Sequence, residues 1–235
     1  MIPSIEEVDG ITRLGVVPVP HTNAAVYAVS GDGRRWVAKR EEDMGCEALL
    51  AEALCWKLGR AIGAPMPEAA FDTLERTWLS ALVPDVAHWD ARFADLVVNP
   101  AEVGAMFVLD LWMHNAARHG RNVLTQPVAA GARVWAIDGD EALVGHIDDY
   151  AERVGAAPST HNHARGLPVS ATLAGARHAI DLSLQISEND LAGTVQSACR
   201  IAREPRHERL LDLVLRQRRA MKDLLVGYLQ AVESL

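Results

Sequence analysis

Between residues 13 and 40, polar and apolar positions alternate in three short runs, the period of half-buried strands. Residues 13–17 form the first run, closed by Pro18 and Pro20, which donate no ladder hydrogen bond. Residues 24–30 form the second, and Gly31-Asp32-Gly33 supplies the turn into a third over 35–40. Alternation puts Trp36, Ala38 and Arg40 on one face of the third strand and Val37 with Lys39 on the other. Lys39 is the anomaly, a charge on a face that should be apolar. It either snorkels from a strand end or is placed to meet a phosphate.

Residues 46–62 switch to the helical period, with Leu50, Leu54, Leu58 and Ile62 in one row and Gly63, Pro65 and Pro67 as stop signals. Glu52 lies on another side, among Ala48, Cys55 and Gly59. Small neighbours there would let the helix approach the sheet, so that Glu52 reaches Lys39; Glu47 is the competing partner. Two further strands are predicted over 69–74 and 77–83, and Pro84-Asp85 breaks the pattern. From Ala87 onward the composition turns helical, and a helix over 101–114 carries Val103, Phe107, Val108, Leu111 and Trp112 on a broad apolar side. It runs into a polar knot, Asn115 to Asn122, followed by a short strand at Val123-Leu124 and a second at 134–137 that ends in Asp138. After Leu143 regularity is lost, and the histidines at 146, 161 and 163 read as polar loop because they lack a metal-ligand spacing. Ser187 is a predicted N-cap, and Pro205 opens a last helix with an apolar stripe of Leu210, Val214, Met221, Leu225, Tyr228 and Val232. The fold class is therefore α+β, with a small antiparallel-sheet lobe carrying one helix over residues 1–85 and a mainly helical lobe over 86–235.

Composition narrows the classes. The chain has 235 residues and is 49% hydrophobic, enough for a sizeable core. No apolar run approaches the roughly 18 residues of a membrane span. The acidic start MIPSIEEVDG lacks the pattern of a secretion signal. A formal charge of -8 argues against non-specific nucleic-acid binding. Cys46, Cys55 and Cys199 form no paired motif and are expected to be reduced, buried thiols in a cytoplasmic protein.

The chemistry concentrates between residues 107 and 143. The amide of Asn122 and the carboxylate of Asp138, at the ends of two neighbouring strands, can share a divalent cation, and oxygen donors suit Mg2+. That is the equipment of phosphoryl transfer, in which positioned charge does most of the work. Asp140 is expected to stand outside this pair.

The stretch resembles the catalytic core of HipA-like kinases, which carry an N-x-D-R-H-x-x-N loop and then a strand ending in I-D. Here the loop reads Asn115-Ala116-Ala117-Arg118-His119-Gly120-Arg121-Asn122 and the strand ends Ile137-Asp138. Upstream, Lys39, Glu52 and the tail Gly63-Ala64-Pro65-Met66-Pro67-Glu68 follow the same pattern in the same order, and Glu47 is out of register for it. The resemblance implies a two-lobed protein-kinase-like fold with ATP and Mg2+ between the lobes. Lys39 would hold the α- and β-phosphates and be oriented by Glu52; Asn122 and Asp138 would hold Mg2+; Arg118 and His119 would brace the loop. Thr22 and Asn23 would cover the nucleotide in place of a glycine-rich flap, and residues 81–85 would form the hinge that meets adenine. The acceptor would be a protein or small-molecule hydroxyl met by residues 146–180, with Ser/Thr kinases as the family precedent. The chain is short for the family and carries no recognisable N-terminal partner-binding domain.

One anchor departs from the pattern. Ala117 stands where the family has its catalytic Asp, and a missing general base costs about 10²–10⁴ in rate. A substitution introduced into an otherwise normal kinase fits the intact remaining positions. A natural pseudokinase that binds nucleotide is the alternative, and a binding module without nucleotide is the third.

Overall fold

The computed structural model of the chain describes residues 2–17 and 24–235. Four strands, β1 (Glu6–Val8), β2 (Ile11–Val16), β3 (Ala25–Ser30) and β4 (Arg35–Arg40), lead into a short helix α1 (Glu41–Met44) and the long helix α2 (Cys46–Ala61). Strands β5 (Ala69–Asp72) and β6 (Thr77–Ala81) complete a six-stranded sheet in the order β1-β5-β6-β4-β3-β2. The predicted meander is present as antiparallel β2, β3 and β4. Strand β1, which pairs parallel to β5, was not legible: it is three residues long, two of them exposed glutamates, so it shows no alternation. Gly33 turns the β3–β4 hairpin at φ 84°, a conformation that favours glycine.

Alternation along β4 works as read. Trp36 and Ala38 pack with Ala28, Ala70 and Leu79 in a small cluster on one face. The opposite face presents Val37 and Lys39 to a cavity between sheet and helices. Helix α2 is buried from Leu49 to Gly59, much more completely than one apolar row implies. It packs on the sheet side and also on helices of the second lobe, so its leucines belong to the same continuous core as Phe107, Leu109 and Trp112.

The second lobe opens with β7 (Ala87–His88), a 3₁₀ turn over Ala91–Leu96 and helix α3 (Pro100–Trp112). Strands β8 (Val123–Val128) and β9 (Gly131–Ala136) follow as a hairpin, longer than the two predicted runs, in a sheet ordered β7-β8-β9. After a 3₁₀ turn over Ala142–Gly145 come α4 (Ile147–Arg153), α5 (Val169–Gln185), α6 (Glu188–Ala202) and α7 (His207–Glu233). Ser187 caps α6 by accepting from the Asp190 amide at 3.1 Å, as predicted. The α7 stripe is buried along its length. Among the described residues no helix is long and apolar enough to cross a membrane. Cys55 and Cys199 are buried, but Cys46, at the first position of α2, is exposed, a correction to the expected burial of all three.

Helix α5 is the main element the sequence concealed, because beside Val169 and Ile180 its inward face is built of small residues, Thr172, Gly175, Ala176, Ala179 and Ser183. Those small residues are there for contact. A Cβ on Gly104 of α3 would lie 2.3 Å from the Thr172 carbonyl oxygen, and one on Gly175 would lie 2.3 Å from that of Ala101. The two helices cross backbone to backbone, and neither backbone can yield. Gly175→Ala should therefore lose about 1–3 kcal/mol of unfolding free energy through overpacking. Gly193→Ala, on α6 with open space around it, should lose nothing and gain up to about 1 kcal/mol from helix propensity. Urea denaturation of the two variants beside the parent decides.

Candidate active site

Lys39 emerges from β4 into the cavity with only 9% of its side chain exposed. Its ammonium donates to Glu52 Oε1 of α2 at 2.7 Å, so the predicted pair forms. It also bonds Asp138 and lies 3.3 Å from Asp140 Oδ2. Burial alone would lower the Lys39 pKa; Glu52, Asp138 and Asp140 outweigh it and hold the ammonium well above its usual range. Glu52 shifts upward, chiefly from burial, with the Lys39 charge opposing and the two aspartates adding to the rise.

The approach of the 138–140 turn to α2 explains the small residues on that helix. A Cβ on Gly139 would meet Cys55 Cβ at 2.9 Å, and its amide donates to Glu52 Oε2 at 3.0 Å. Gly59 admits Met66 and Leu109. So Cys55 and Gly59 do mark a close-approach side, but what they admit is this turn and the second lobe rather than the sheet. Asp138 sits at φ 62°, a left-handed conformation that aspartate tolerates better than most residues. Asp140 does not stand apart. Oxygens of Glu52, Asp138 and Asp140 lie within 4.8 Å of one another, the one such group of three metal-ligating side chains among the described residues. The sequence signal was the D-x-D spacing around a glycine, which the register to the strand end obscured.

The loop ahead of β8 hangs on a buried ion pair. Asp110, inside the apolar run of α3, accepts from Arg118 Nη2 at 2.8 Å and from its Nε at 3.1 Å, and both side chains are essentially inaccessible. Arg118 Nη1 donates to the carbonyls of Asn122 at 3.1 Å and Ile137 at 2.7 Å. Asn115 donates to Asp110 at 3.0 Å, and its own Oδ1 accepts from the Ala117 amide at 3.0 Å. Asn122 is buried and donates through Nδ2 to the Ala117 carbonyl at 3.1 Å. Pairing of Val123 with Ala136 and the Ile137 amide bond to the Asn122 carbonyl set Asn122 and Asp138 on adjacent strand ends.

Ala117 is buried at the turn of this loop. His119 contributes through its backbone, donating to the Ala117 carbonyl at 2.7 Å and accepting from the Asn122 amide at 2.9 Å. Its ring Nδ1 is buried without a hydrogen-bond partner. Thr22 and Asn23 lie outside the described residues. Asp110 was missed because one acid in an apolar helix carries no spacing signal.

Below Lys39 opens a cavity of about 290 Å³ walled by Ala25, Tyr27, Val37, Trp78, Leu124 and Ile137 and reaching the 81–83 segment. The amides of Ala81 and Leu82 are already bonded to Glu68 and Arg35. Glu47 turns away from Lys39 to pair with His146 and, at 3.3 Å, with Arg206. His163 is buried against the Tyr228 hydroxyl at 2.7 Å, a structural role.

No protein-family model matches the chain, and no curated protein matches it in sequence. Its structure is similar to that of the proinflammatory kinase CtkA of Helicobacter pylori, with a TM-score of 0.58, 11% identity, and 99% of each chain covered. HipA from the toxin–antitoxin complex of Shewanella oneidensis with HipB and operator DNA aligns at a TM-score of 0.46 and 9% identity, over 94% of this chain and 68% of that one. The Rio2 kinase of Chaetomium thermophilum, in its ADP/Mg2+–phosphoaspartate complex, aligns at 0.37 and 15%, over 82% and 72%. The chain has a protein-kinase-like fold, a sheet lobe and a helical lobe, as the CtkA likeness shows. At 11% identity that likeness speaks for the fold alone.

Two expectations follow from the loop. Asp110→Ala strands the Arg118 charge in the core and should remove about 3–5 kcal/mol of stability, read by urea denaturation; a loss below about 1 kcal/mol would mean the pair is not what anchors the loop. His114, at the end of α3, is 3% exposed, and burial pushes its pKa down to about 4 from an ordinary 6.5, with Arg153 adding to the shift. Between those values the unfolded chain binds more protons, so stability should fall as pH drops from 6.5 to 4 and level off below. His114→Asn, which suits the left-handed φ of 51° and does not titrate, should flatten that part of the slope in a series of denaturation curves.

Proposed function

We propose that this chain is an ATP-dependent phosphotransferase resembling HipA-like Ser/Thr kinases, with Mg2+ as its metal, and that Ala117 impairs its proton-accepting step. The observation that carries the reading is the convergence of Lys39, Glu52 and Asp138, from a strand, a helix and a strand end, on one ammonium at the mouth of an apolar cavity. Lys39 would turn its ammonium to the phosphates while Glu52 keeps it in place. The cavity would take the purine, with segment 81–85 as the hinge; since Ala81 and Leu82 spend their amides in the sheet, contacts would come from later positions. Asn122 Oδ1 and Asp138 would hold the metal, and the carboxylate oxygens gathered from Glu52, Asp138 and Asp140 are hard donors that fit Mg2+. When bound, that ion supplies neutralisation of the phosphate charge. The acceptor would be a protein or small-molecule hydroxyl, and a cytoplasmic setting fits three thiols with no disulfide among them.

Ala117 favours a second reading, a pseudokinase that binds nucleotide and acts by shape, because a methyl group accepts no proton. One experiment separates the readings. ADP or ATP with Mg2+ should stabilise the protein by about 2.7 kcal/mol at a hundredfold excess over Kd, and Asp138→Ala should abolish the metal-dependent part. Ala117→Asp should then raise phosphoryl transfer, followed as radiolabel incorporation or ATP turnover, by about 10²–10⁴, while Ala117→Asn should not. Nucleotide binding with no gain in Ala117→Asp, given an acceptor, supports the pseudokinase; no thermal response to millimolar nucleotide sinks both.

A further inference from the structure

His88, at the end of β7, lines the cavity but takes no part in the charge cluster around Lys39. Its ring is half-buried, and Nδ1 lies 3.1 Å from the Arg121 carbonyl oxygen, an atom that can only accept. Nδ1 therefore carries the proton, and in a neutral imidazole the other nitrogen, Nε2, is then an acceptor. Among the described residues Nε2 has no hydrogen-bond partner, and it remains accessible. Resting on the nucleotide-binding reading above, we propose that His88 Nε2 accepts a hydrogen bond from a ribose hydroxyl, so that the site reads the sugar of its nucleotide.

In a nucleotide the sugar joins the base to the phosphates, and His88 stands at the matching junction. Val83, Val86 and Ala87 line the cavity as the chain leaves the 81–85 segment, and His88 follows them. Its ring is tied to Arg121, the residue before Asn122 in the loop that would hold the metal. Backbone and ring are both fixed there. His88 pairs with Leu124 of β8, another residue of the cavity wall. Trp89, next in the chain, is buried, with its amide bonded to the Gly120 and Val123 carbonyls at 3.1 and 2.9 Å and its indole to the Arg165 carbonyl at 2.9 Å. An acceptor held in place before the ligand arrives loses little freedom when it binds. A ribose hydroxyl donates to it. A deoxyribose carbon does not, and the nitrogen, stripped of water by the ligand, is left unpaired.

Calorimetric titration of the full chain with ADP, 2′-deoxy-ADP and 3′-deoxy-ADP, in one magnesium buffer, tests this. Loss of the hydroxyl that His88 receives should weaken binding by about tenfold, the usual cost of an acceptor left unpaired. In His88→Phe, which keeps a ring and removes the acceptor, ADP should weaken by about the same factor, and the two analogues should come within about twofold of it. A merely structural defect would lower all three affinities together and leave their ratios in place. Equal affinity of the unmodified protein for the three ligands overturns the sugar contact and leaves nucleotide binding standing. Discrimination undiminished in His88→Phe overturns the role of His88. Absence of ADP binding overturns the proposed function itself. The first comparison needs no variant, so a poorly folding substitution does not remove the test.

Discussion

The guanidinium of Arg118 is the point from which the site is hung. One edge is gripped by Asp110 in the core of α3, and another donates to the carbonyls of Asn122 and Ile137. A single planar group thus fixes a helix end, the start of β8 and the end of β9 relative to one another. Arginine suits this task because its donors lie in one rigid fork and its charge survives burial beside a carboxylate. Asn122 and Asp138 inherit their positions from it.

Much of this was legible because strands and helices impose periods on the sequence. Lys39 announced itself as a charge at an apolar position of β4, and Glu52 as an acid among small residues on α2. Asn122 and Asp138 were marked by the strands that begin and end beside them. What stayed hidden was chemistry without a period. Asp110 is one acid in an apolar helix, and only its partner eight residues on, across a turn, reveals its role. Asp140 lay two residues past the position that register assigned. Helix α5 disappeared because its packing face, Val169 and Ile180 apart, is glycine, alanine, serine and threonine, which give no apolar period.

Small residues permit close approach at two places in the molecule. Gly104 and Gly175 let α3 and α5 touch through their backbones, which sets where α3 delivers the loop. Cys55 and Gly139 let the 138–140 turn lie against α2, which brings two aspartates to the lysine. In each case contact distance, not hydrophobicity, is what the residue supplies, and burial has pushed the Cys55 thiol well above its usual pKa, out of nucleophilic range.

Helix α2 is contributed by the first lobe yet shares its core with α3, α6 and α7. Glu52 is consequently part of the same packed body as Asp138, and the sheet carrying Lys39 joins that body through Ala69, Phe71 and Trp78. For the history of such a chain this sets a rule of inheritance. A recombination that exchanged residues 1–85 alone would import a helix shaped for someone else's second lobe. On this packing α2 must travel with α3 and α6.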